Sequence, residues 1–303
     1  MKEHLKIISD FDQLPLDVMI TSPAHPKGIV VLAHGMCEHK ERYENFMTFL
    51  TKNNYACIMH DHRGHGKSIY NDNDLGYFYK DGHIGIVEDV HQLVKLMKLR
   101  YSHLPIYLFG HSMGSLIVRN YIKKYDNEIN GLIVCGSPSA NSACDLAIKL
   151  CDIMSKFKGD HHRSQLLRKL SVDSFNKNFD KNVQCDWLCT DRKVVEEYNA
   201  DPLSGFTFTT NGFKSLFLLM KETYSLSNWN KTNLSLPIHF IAGEQDPCIT
   251  NINEFNKAVN LLKEVGYTRV SSQLFQNMRH EILNEIKKED VYKNILKTLN
   301  AWN

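Results

Sequence analysis

Short apolar runs rich in β-branched residues alternate along the chain with stretches of helical periodicity. Apolar residues recur at helical spacing from Ile86 to Met97, which predicts an amphipathic helix that packs on a sheet and ends before Pro105. Strands that alternate with helices favour an α/β fold with a mostly parallel sheet. The predicted strands of this sheet cover residues 28–33, 55–60, 106–109, 132–135, 238–242 and 270–275.

The pattern changes at the N-terminus and again in the second half of the chain. Residues 5–8 and 16–20 predict two more strands around a polar turn, which we expect to form an antiparallel edge. Residues 141–231 have helix-like spacing without a strong strand. We therefore expect a core of residues 1–140 and 232–303, with a helical insertion at 141–231.

The composition is that of an ordinary globular protein, with 43% hydrophobic and 23% charged residues. The formal charge of only +2 does not indicate a strongly basic surface, so we expect no nucleic-acid partner. Neither a secretory segment nor a bilayer-length apolar run is evident, which favours the cytoplasm and reduced thiols for the eight cysteines. Cys185 and Cys189 have no second pair to complete a structural zinc site.

The sharpest motif is Gly110-His111-Ser112-Met113-Gly114, placed after a predicted strand and before a helical run. A strand that turns abruptly into a helix crowds the backbone around the residue at the turn, and glycines on both sides relieve that crowding. The motif predicts Ser112 as an exposed nucleophile. The alternative is a glycine-rich turn without chemistry.

A serine hydroxyl needs a base and an orienting carboxylate, which in this motif's fold follow in the order serine, acid, histidine. Asp246 comes just after the strand at 238–242, and His280 just after the strand at 270–275. We predict Asp246 as the acid and His280 as the base, with Glu244 as the alternative acid. No metal or organic cofactor is required.

The reaction also requires two backbone N–H donors for the developing oxyanion. Met113 supplies one by its position after Ser112, and Met36 is predicted to supply the other from the loop after the first parallel strand. The alternative for His34-Gly35 is a turn that only ends the strand.

The histidine-rich segment at residues 60–68 suggests a metal or phosphate site at first sight. Its two glycines are too few for a phosphate-binding loop. Histidines in or beside a strand are expected to point to opposite faces, so we prefer a structural interpretation without metal.

Four ordered motifs together resemble the monoacylglycerol lipase and lysophospholipase-like branch of the α/β-hydrolases. They are His34 through His39 followed by Arg42-Tyr43, Asp61 through Ser68, Gly110 through Gly114, and His280 through Glu285. The resemblance covers nearly the whole chain. It implies an α/β-hydrolase fold in which residues 141–231 form a cap, and in which Asp61 through Ser68 form a structural loop.

The resemblance also implies a polar pocket for the head group of a glycerol-like alcohol. Its members here would be Glu38, Arg42, His111 and the cap residue Tyr198. The alternatives are a surface ion pair for Glu38 and Arg42, and simple packing for Tyr198. The side chain of Met36 is expected near the acyl site, which leaves the preferred chain length open.

We therefore expect a serine ester hydrolase that forms an acyl-enzyme on monoacylglycerols, lysophospholipids or small esters. Alternatives are an aminopeptidase or amidase, which would need cap carboxylates facing Ser112, and a non-catalytic ligand-binding protein of the same fold. Transient membrane contact through the cap is expected, and no obligate protein partner is evident. Cys248 is expected near the acid, where it either packs or lines the site.

Overall fold

The computed structural model describes residues 1–303. Its strands are β1 (Lys2–Ile8), β2 (Pro15–Thr21), β3 (Gly28–Ala33), β4 (Tyr55–His60), β5 (Ile106–His111), β6 (Gly131–Cys135), β7 (Ile238–Gly243) and β8 (Val270–Phe275). Its α helices are α1 (Glu44–Lys52), α2 (Gly82–Arg100), α3 (Met113–Tyr125), α4 (Cys144–Lys158), α5 (Gln165–Ser171), α6 (Arg192–Ala200), α7 (Thr210–Thr223), α8 (Ile252–Val265) and α9 (Lys288–Trp302).

The strands form one eight-stranded sheet in the order β1-β2-β4-β3-β5-β6-β7-β8. Strand β2 is antiparallel to both β1 and β4, and every pairing from β4 through β8 is parallel. The predicted strands, the antiparallel edge and the mostly parallel sheet are thereby confirmed. Strands β3 to β7 are buried along their whole length, because helices cover both faces of the sheet.

Two hydrophobic clusters lie on opposite faces of the sheet. Successive residues of β3 alternate between them: Ile29 and Val31 join one cluster, and Val30 and Leu32 join the other. The first cluster includes the apolar stripe of α2, as the spacing predicts, together with residues of α3, α7 and α8. The second includes α1 and α9. No helix has the length and apolar character needed to cross a bilayer.

The segment between β6 and β7 contains α4 to α7 and no strand. Helix α7 packs against α4 and also against α2 and α3, so this segment is anchored on the sheet-covering helices. The segment crosses the carboxyl ends of the parallel strands, where its residues share cavities with the loops that follow β3 and β5.

The histidines of residues 60–68 do not point to opposite faces, contrary to the expectation from the sequence. The ring centroids of His60 and His62 lie 4.9 Å apart, and those of His34 and His62 lie 4.1 Å apart. The alternation of successive side chains between the two faces of a strand does not extend to His62, because β4 ends at His60 and the chain turns there. These histidines and His65 form a fully buried cluster, although no three of them bring ligand atoms together as a metal site requires.

Candidate active site

Ser112 occupies the tight turn between β5 and α3. Its backbone has φ 55° and ψ −117°, a conformation that L-residues rarely adopt and that is typically stabilised by its surroundings. A Cβ atom on Gly114 would lie 2.1 Å from the carbonyl oxygen of Ala33, and one on Gly110 would lie 2.4 Å from the carbonyl oxygen of Gly114. Only glycine fits at either position, as the motif requires.

Asp246 and His280 meet at the carboxyl ends of β7 and β8. His280 Nδ1 lies 2.9 Å from both carboxylate oxygens of Asp246, and both side chains are buried. Oδ1 of Asp246 also accepts the backbone N–H of Cys248 at 2.8 Å, which fixes the carboxylate in the turn. Glu244 is exposed and makes no bond to His280. This pairing holds the imidazole with Nδ1 on the carboxylate and leaves Nε2 available as a base.

Ser112 and His280 line the same cavity, and the serine Oγ makes no hydrogen bond to a protein group. The nearest partner of His280 Nε2 is the sulfur of Cys248 at 3.9 Å. Hydrogen bonds between nucleophile and base are often long without substrate and tighten in the bound complex. Ser112 thus lines the same cavity as His280, which is paired with Asp246, and Nε2 of His280 makes no hydrogen bond to an oxygen atom.

The backbone N–H groups of Met36 and Met113 donate to no acceptor within the protein. The loop that carries Met36 packs directly on Ser112, since a Cβ on Gly35 would lie 3.2 Å from Cβ of Ser112. The N–H of Met113 is free because Met113 is the first residue of α3, and the N–H of Met36 is a second unpaired donor in the same cavity region. They provide the type of electrostatic site that stabilises an oxyanion.

Glu38 is bound by protein groups on both oxygens. Oε1 accepts the backbone N–H of Gly35 at 2.6 Å and the hydroxyl of Tyr43 at 2.8 Å, and Oε2 accepts from Arg42 at 2.6 Å. Burial alone would raise the pKa of Glu38, but the hydrogen bond from His111 and the charge of Arg42 lower it well below its usual value. Glu38 thus remains charged and holds the loop of Met36 in place.

Sequence reasoning missed Glu281, which directly follows His280. Its carboxylate accepts two hydrogen bonds from Arg42, at 2.7 and 2.6 Å, so Arg42 bridges Glu38 and Glu281. Glu38 and Glu281 line the cavity beside Ser112, whereas Arg42 lies behind them. The sequence did contain an indication of this role: Glu281 is an acidic residue next to His280 and could pair with the cation of Arg42.

Tyr198 of α6 contacts the loop that carries Met36, and its hydroxyl is not free in the cavity. Its hydroxyl donates to the carbonyl oxygen of Cys37 at 3.1 Å, and its ring lies 4.8 Å from the guanidinium of Arg42. The same carbonyl accepts from Gly205, and the Cys37 thiol donates to the carbonyl of Phe206 at 2.9 Å. The inserted segment thus holds the loop that carries Met36.

Two cavities meet at Ser112. The smaller has an empty volume of about 550 Å³, and its polar end is formed by Glu38, His111 and Glu281. The larger has an empty volume of about 930 Å³, is mostly apolar, and is lined by Cys248 and by residues of α7. Met36, Ser112, Val172 and Trp187 line both cavities. Trp187, also missed by sequence reasoning, places its ring 5.0 Å from that of His280.

Comparison with known proteins places this architecture in a family. A family model described as serine aminopeptidase, S33, matches residues 24–287. A monoacylglycerol lipase of Mycolicibacterium smegmatis is 26% identical over 93% of this chain and 90% of its own. Human monoglyceride lipase is 24% identical over 91% of this chain and 82% of its own.

The fold also matches solved structures along its length. A thermostable carboxyl esterase from Bacillus coagulans, solved in complex with glycerol, superposes with a TM-score of 0.91 at 26% identity. The match covers 99% of this chain and 98% of the esterase. The chain therefore belongs to the serine aminopeptidase S33 family of α/β-hydrolases, in the branch that resembles monoacylglycerol lipases and lysophospholipases, and it is a hydrolase.

Proposed function

We propose that the protein hydrolyses single-chain lipid esters, with monoacylglycerols as the best-fitting class. One observation carries the proposal: Ser112 stands where a cavity lined by the charged side chains of Glu38 and Glu281 meets a larger cavity that no charged side chain lines. The Asp246–His280 pair lies beside it. An ester with a polyol on one side of its carbonyl and an acyl chain on the other matches this division.

The proposed reaction has two stages. Ser112 Oγ attacks the ester carbonyl while His280 Nε2 takes its proton, and Asp246 stabilises the imidazolium. The N–H groups of Met36 and Met113 stabilise the oxyanion. His280 then returns the proton to the leaving alcohol, and a water molecule, activated by the same histidine, hydrolyses the acyl-serine to the free acid.

The direct test is the reactivity of Ser112. We expect Ser112→Ala to lose labelling by a fluorophosphonate probe and nearly all esterase turnover, while Ser235→Ala, at an exposed position before β7, retains both. Labelling retained in Ser112→Ala, with the folded state checked by circular dichroism, would refute the assignment.

An aminopeptidase remains the second candidate, because the matching family model is named for that activity. Recognition of a free substrate amine requires unpaired carboxylates, but the inserted segment contributes no carboxylate to either cavity. The two carboxylates of the smaller cavity, Glu38 and Glu281, are both paired with Arg42. Faster turnover of aminoacyl nitroanilides than of acyl esters would reverse this preference.

Oε1 of Glu281 accepts a hydrogen bond only from Arg42, so it can accept a second one from a neutral substrate hydroxyl. We expect Glu281→Gln to raise KM about tenfold for a monoacylglycerol, the scale of one charge-assisted hydrogen bond. A nitrophenyl ester of the same acyl chain lacks the polyol and serves as the matched substrate. Equal losses on both substrates would remove the head-group role of Glu281.

We also propose that residues 141–231 form a cap that contacts lipid surfaces. Helix α4 exposes an apolar stripe at i, i+7 and i+11, formed by Leu146, Ile153 and Phe157, the last 78% exposed. Exposed Lys149 and Lys156 flank the stripe and would favour anionic lipid.

The lipid contact can be measured by vesicle flotation. Phe157→Asp should weaken binding to anionic vesicles and raise KM only for vesicle-borne substrate. Leu99→Asp, at an 85% exposed position on α2, is the control and should change neither. Equal binding by Phe157→Asp and wild type would refute the contact.

A further inference from the structure

We propose that Cys248 Sγ and His280 Nε2 together bind a soft divalent cation such as Zn²⁺ or Cd²⁺, and that the bound ion inhibits the enzyme. The inhibition rests on the proposed role of His280 as the base, whereas the binding of the ion does not. Such an ion would act as a reversible inhibitor and not as a cofactor.

The spacing of the two ligand atoms suits one ion. Sγ of Cys248 lies 3.9 Å from Nε2 of His280. Zinc binds thiolate sulfur at about 2.3 Å and imidazole nitrogen at about 2.0–2.1 Å, so tetrahedral geometry separates the two ligands by roughly 3.6 Å. The pair needs to close by only a few tenths of an ångström, which one thiol rotation supplies.

Asp246 orients the imidazole of His280 through the ring nitrogen opposite the proposed metal-binding one. His280 Nδ1 lies 2.9 Å from both Asp246 oxygens, so the carboxylate fixes the ring with Nε2 directed away from it. Metal-bound histidines commonly donate their second ring N–H to a carboxylate, which raises the basicity of the ligating nitrogen. A catalytic acid–base pair therefore provides the same support that a metal site requires. Ligand atoms of Asp246, Cys248 and His280 all lie within 4.8 Å of one another.

The surroundings favour a cation that retains solvent ligands. Cys248 lines the larger cavity, which has no lysine or arginine in its lining and so presents no repelling charge. Burial and, after it, the Asp246 carboxylate raise the pKa of the Cys248 thiol well above its usual value, so the ion has to displace the thiol proton. The same carboxylate lies within 4.8 Å of both ligand atoms and attracts a cation. Ser112 lines the same cavity as Cys248, and water in that cavity can supply the remaining oxygen ligands.

The binding step exchanges one proton for one ion. The thiol of Cys248 releases its proton to solvent, the resulting thiolate binds the ion, and Nε2 donates its lone pair to the same ion. His280 then has no lone pair with which to accept the proton of Ser112. The sulfur and nitrogen donors select soft ions, so Mg²⁺ and Ca²⁺, which prefer oxygen ligands, should have no effect.

Cobalt(II) gives a readout that does not depend on activity, because a cobalt–thiolate bond produces a near-ultraviolet charge-transfer band. We expect one equivalent of Co²⁺ to give this band in wild type and in Ser112→Ala, and no band in Cys248→Ala or Cys248→Ser. Cys185→Ala, which removes the half-buried cysteine, should keep the band. All variants carry His4→Ala, which removes the second, partly exposed ligand group of His4, Asp17 and Glu41.

In the activity experiment, the turnover rate of each variant with metal is compared with the rate of the same variant without metal. Zn²⁺ should inhibit wild-type turnover of a soluble ester reversibly, with chelator restoring activity. The half-maximal concentration should be at least tenfold higher for Cys248→Ala. A cobalt band that survives in both Cys248 variants, or that never forms in wild type, would overturn the site. A band that is lost in His280→Ala but is not accompanied by inhibition by Zn²⁺ would keep the site and overturn His280 as the base, whereas a band unchanged in His280→Ala would overturn the site.

Discussion

The buried histidine cluster of His34, His60, His62 and His65 should make the protein less stable as the pH falls from about 7.5 to about 5.5. All four side chains are fully buried, and burial lowers the pKa of each, to about 3 for His65. The folded protein therefore keeps these rings neutral, whereas the unfolded chain protonates them near the ordinary pKa of about 6.5. Because the unfolded state then binds more protons, the free energy of unfolding decreases as the pH falls below that value.

The size of the effect follows from proton linkage. For a histidine that stays neutral when folded, the change over this interval is about 1.4 kcal/mol, so His60, His62 and His65 together contribute roughly 4 kcal/mol, and His34 adds to it in the same direction. His39 and His111 act in the opposite direction: burial lowers their pKa values, but hydrogen bonds to carboxylates outweigh burial and raise them. A single substitution within the cluster separates the two effects.

His60→Leu is the most informative substitution, because neither ring nitrogen of His60 has a hydrogen-bond partner. Leucine removes the proton uptake without breaking a bond, so the free energy of unfolding at about pH 7.5 should stay level or rise. Urea unfolding followed by circular dichroism should show its decrease toward pH 5.5 reduced by about 1.4 kcal/mol relative to wild type. The control is His25→Leu at an exposed position, which should keep the wild-type pH dependence. An unchanged pH dependence in His60→Leu would refute the neutral, unpaired state of this ring.

Substitutions around the site give further expectations. Asp246→Asn should lower kcat by about 10⁴-fold, as in other triads, while Glu244→Gln should have little effect. If steady-state kinetics showed the larger loss in Glu244→Gln, the acid would be Glu244 and not Asp246. Tyr198→Phe removes one hydrogen bond to the Cys37 carbonyl, worth about 1 kcal/mol, and should lower kcat about fivefold on both monoacylglycerol and nitrophenyl esters. A loss confined to monoacylglycerol would instead assign Tyr198 to head-group binding. Cys185, the half-buried cysteine, should react with maleimide before buried Cys37, as peptide mapping would show.

Local sequence patterns were sufficient to predict the strands and helices of the core, and the order of the proposed triad along the chain. Buried parallel strands are short apolar runs whatever their neighbours, and the turn at Ser112 needs glycine at fixed offsets, so both can be recognised from a few adjacent residues. The positions of Asp246 and His280 follow from the same logic, because each comes directly after a strand whose carboxyl end faces the site.

Only the tertiary structure decided which side chains meet across the site. Arg42 pairs with Glu281 across a separation of 239 residues, and Cys248 approaches Nε2 of His280 from a different loop. The histidines after β4 likewise cluster because the chain turns at the strand end, where alternation no longer predicts direction. Strand periodicity fixes a side chain's face only while the backbone stays extended, whereas loop contacts depend on the path of every packed segment around them.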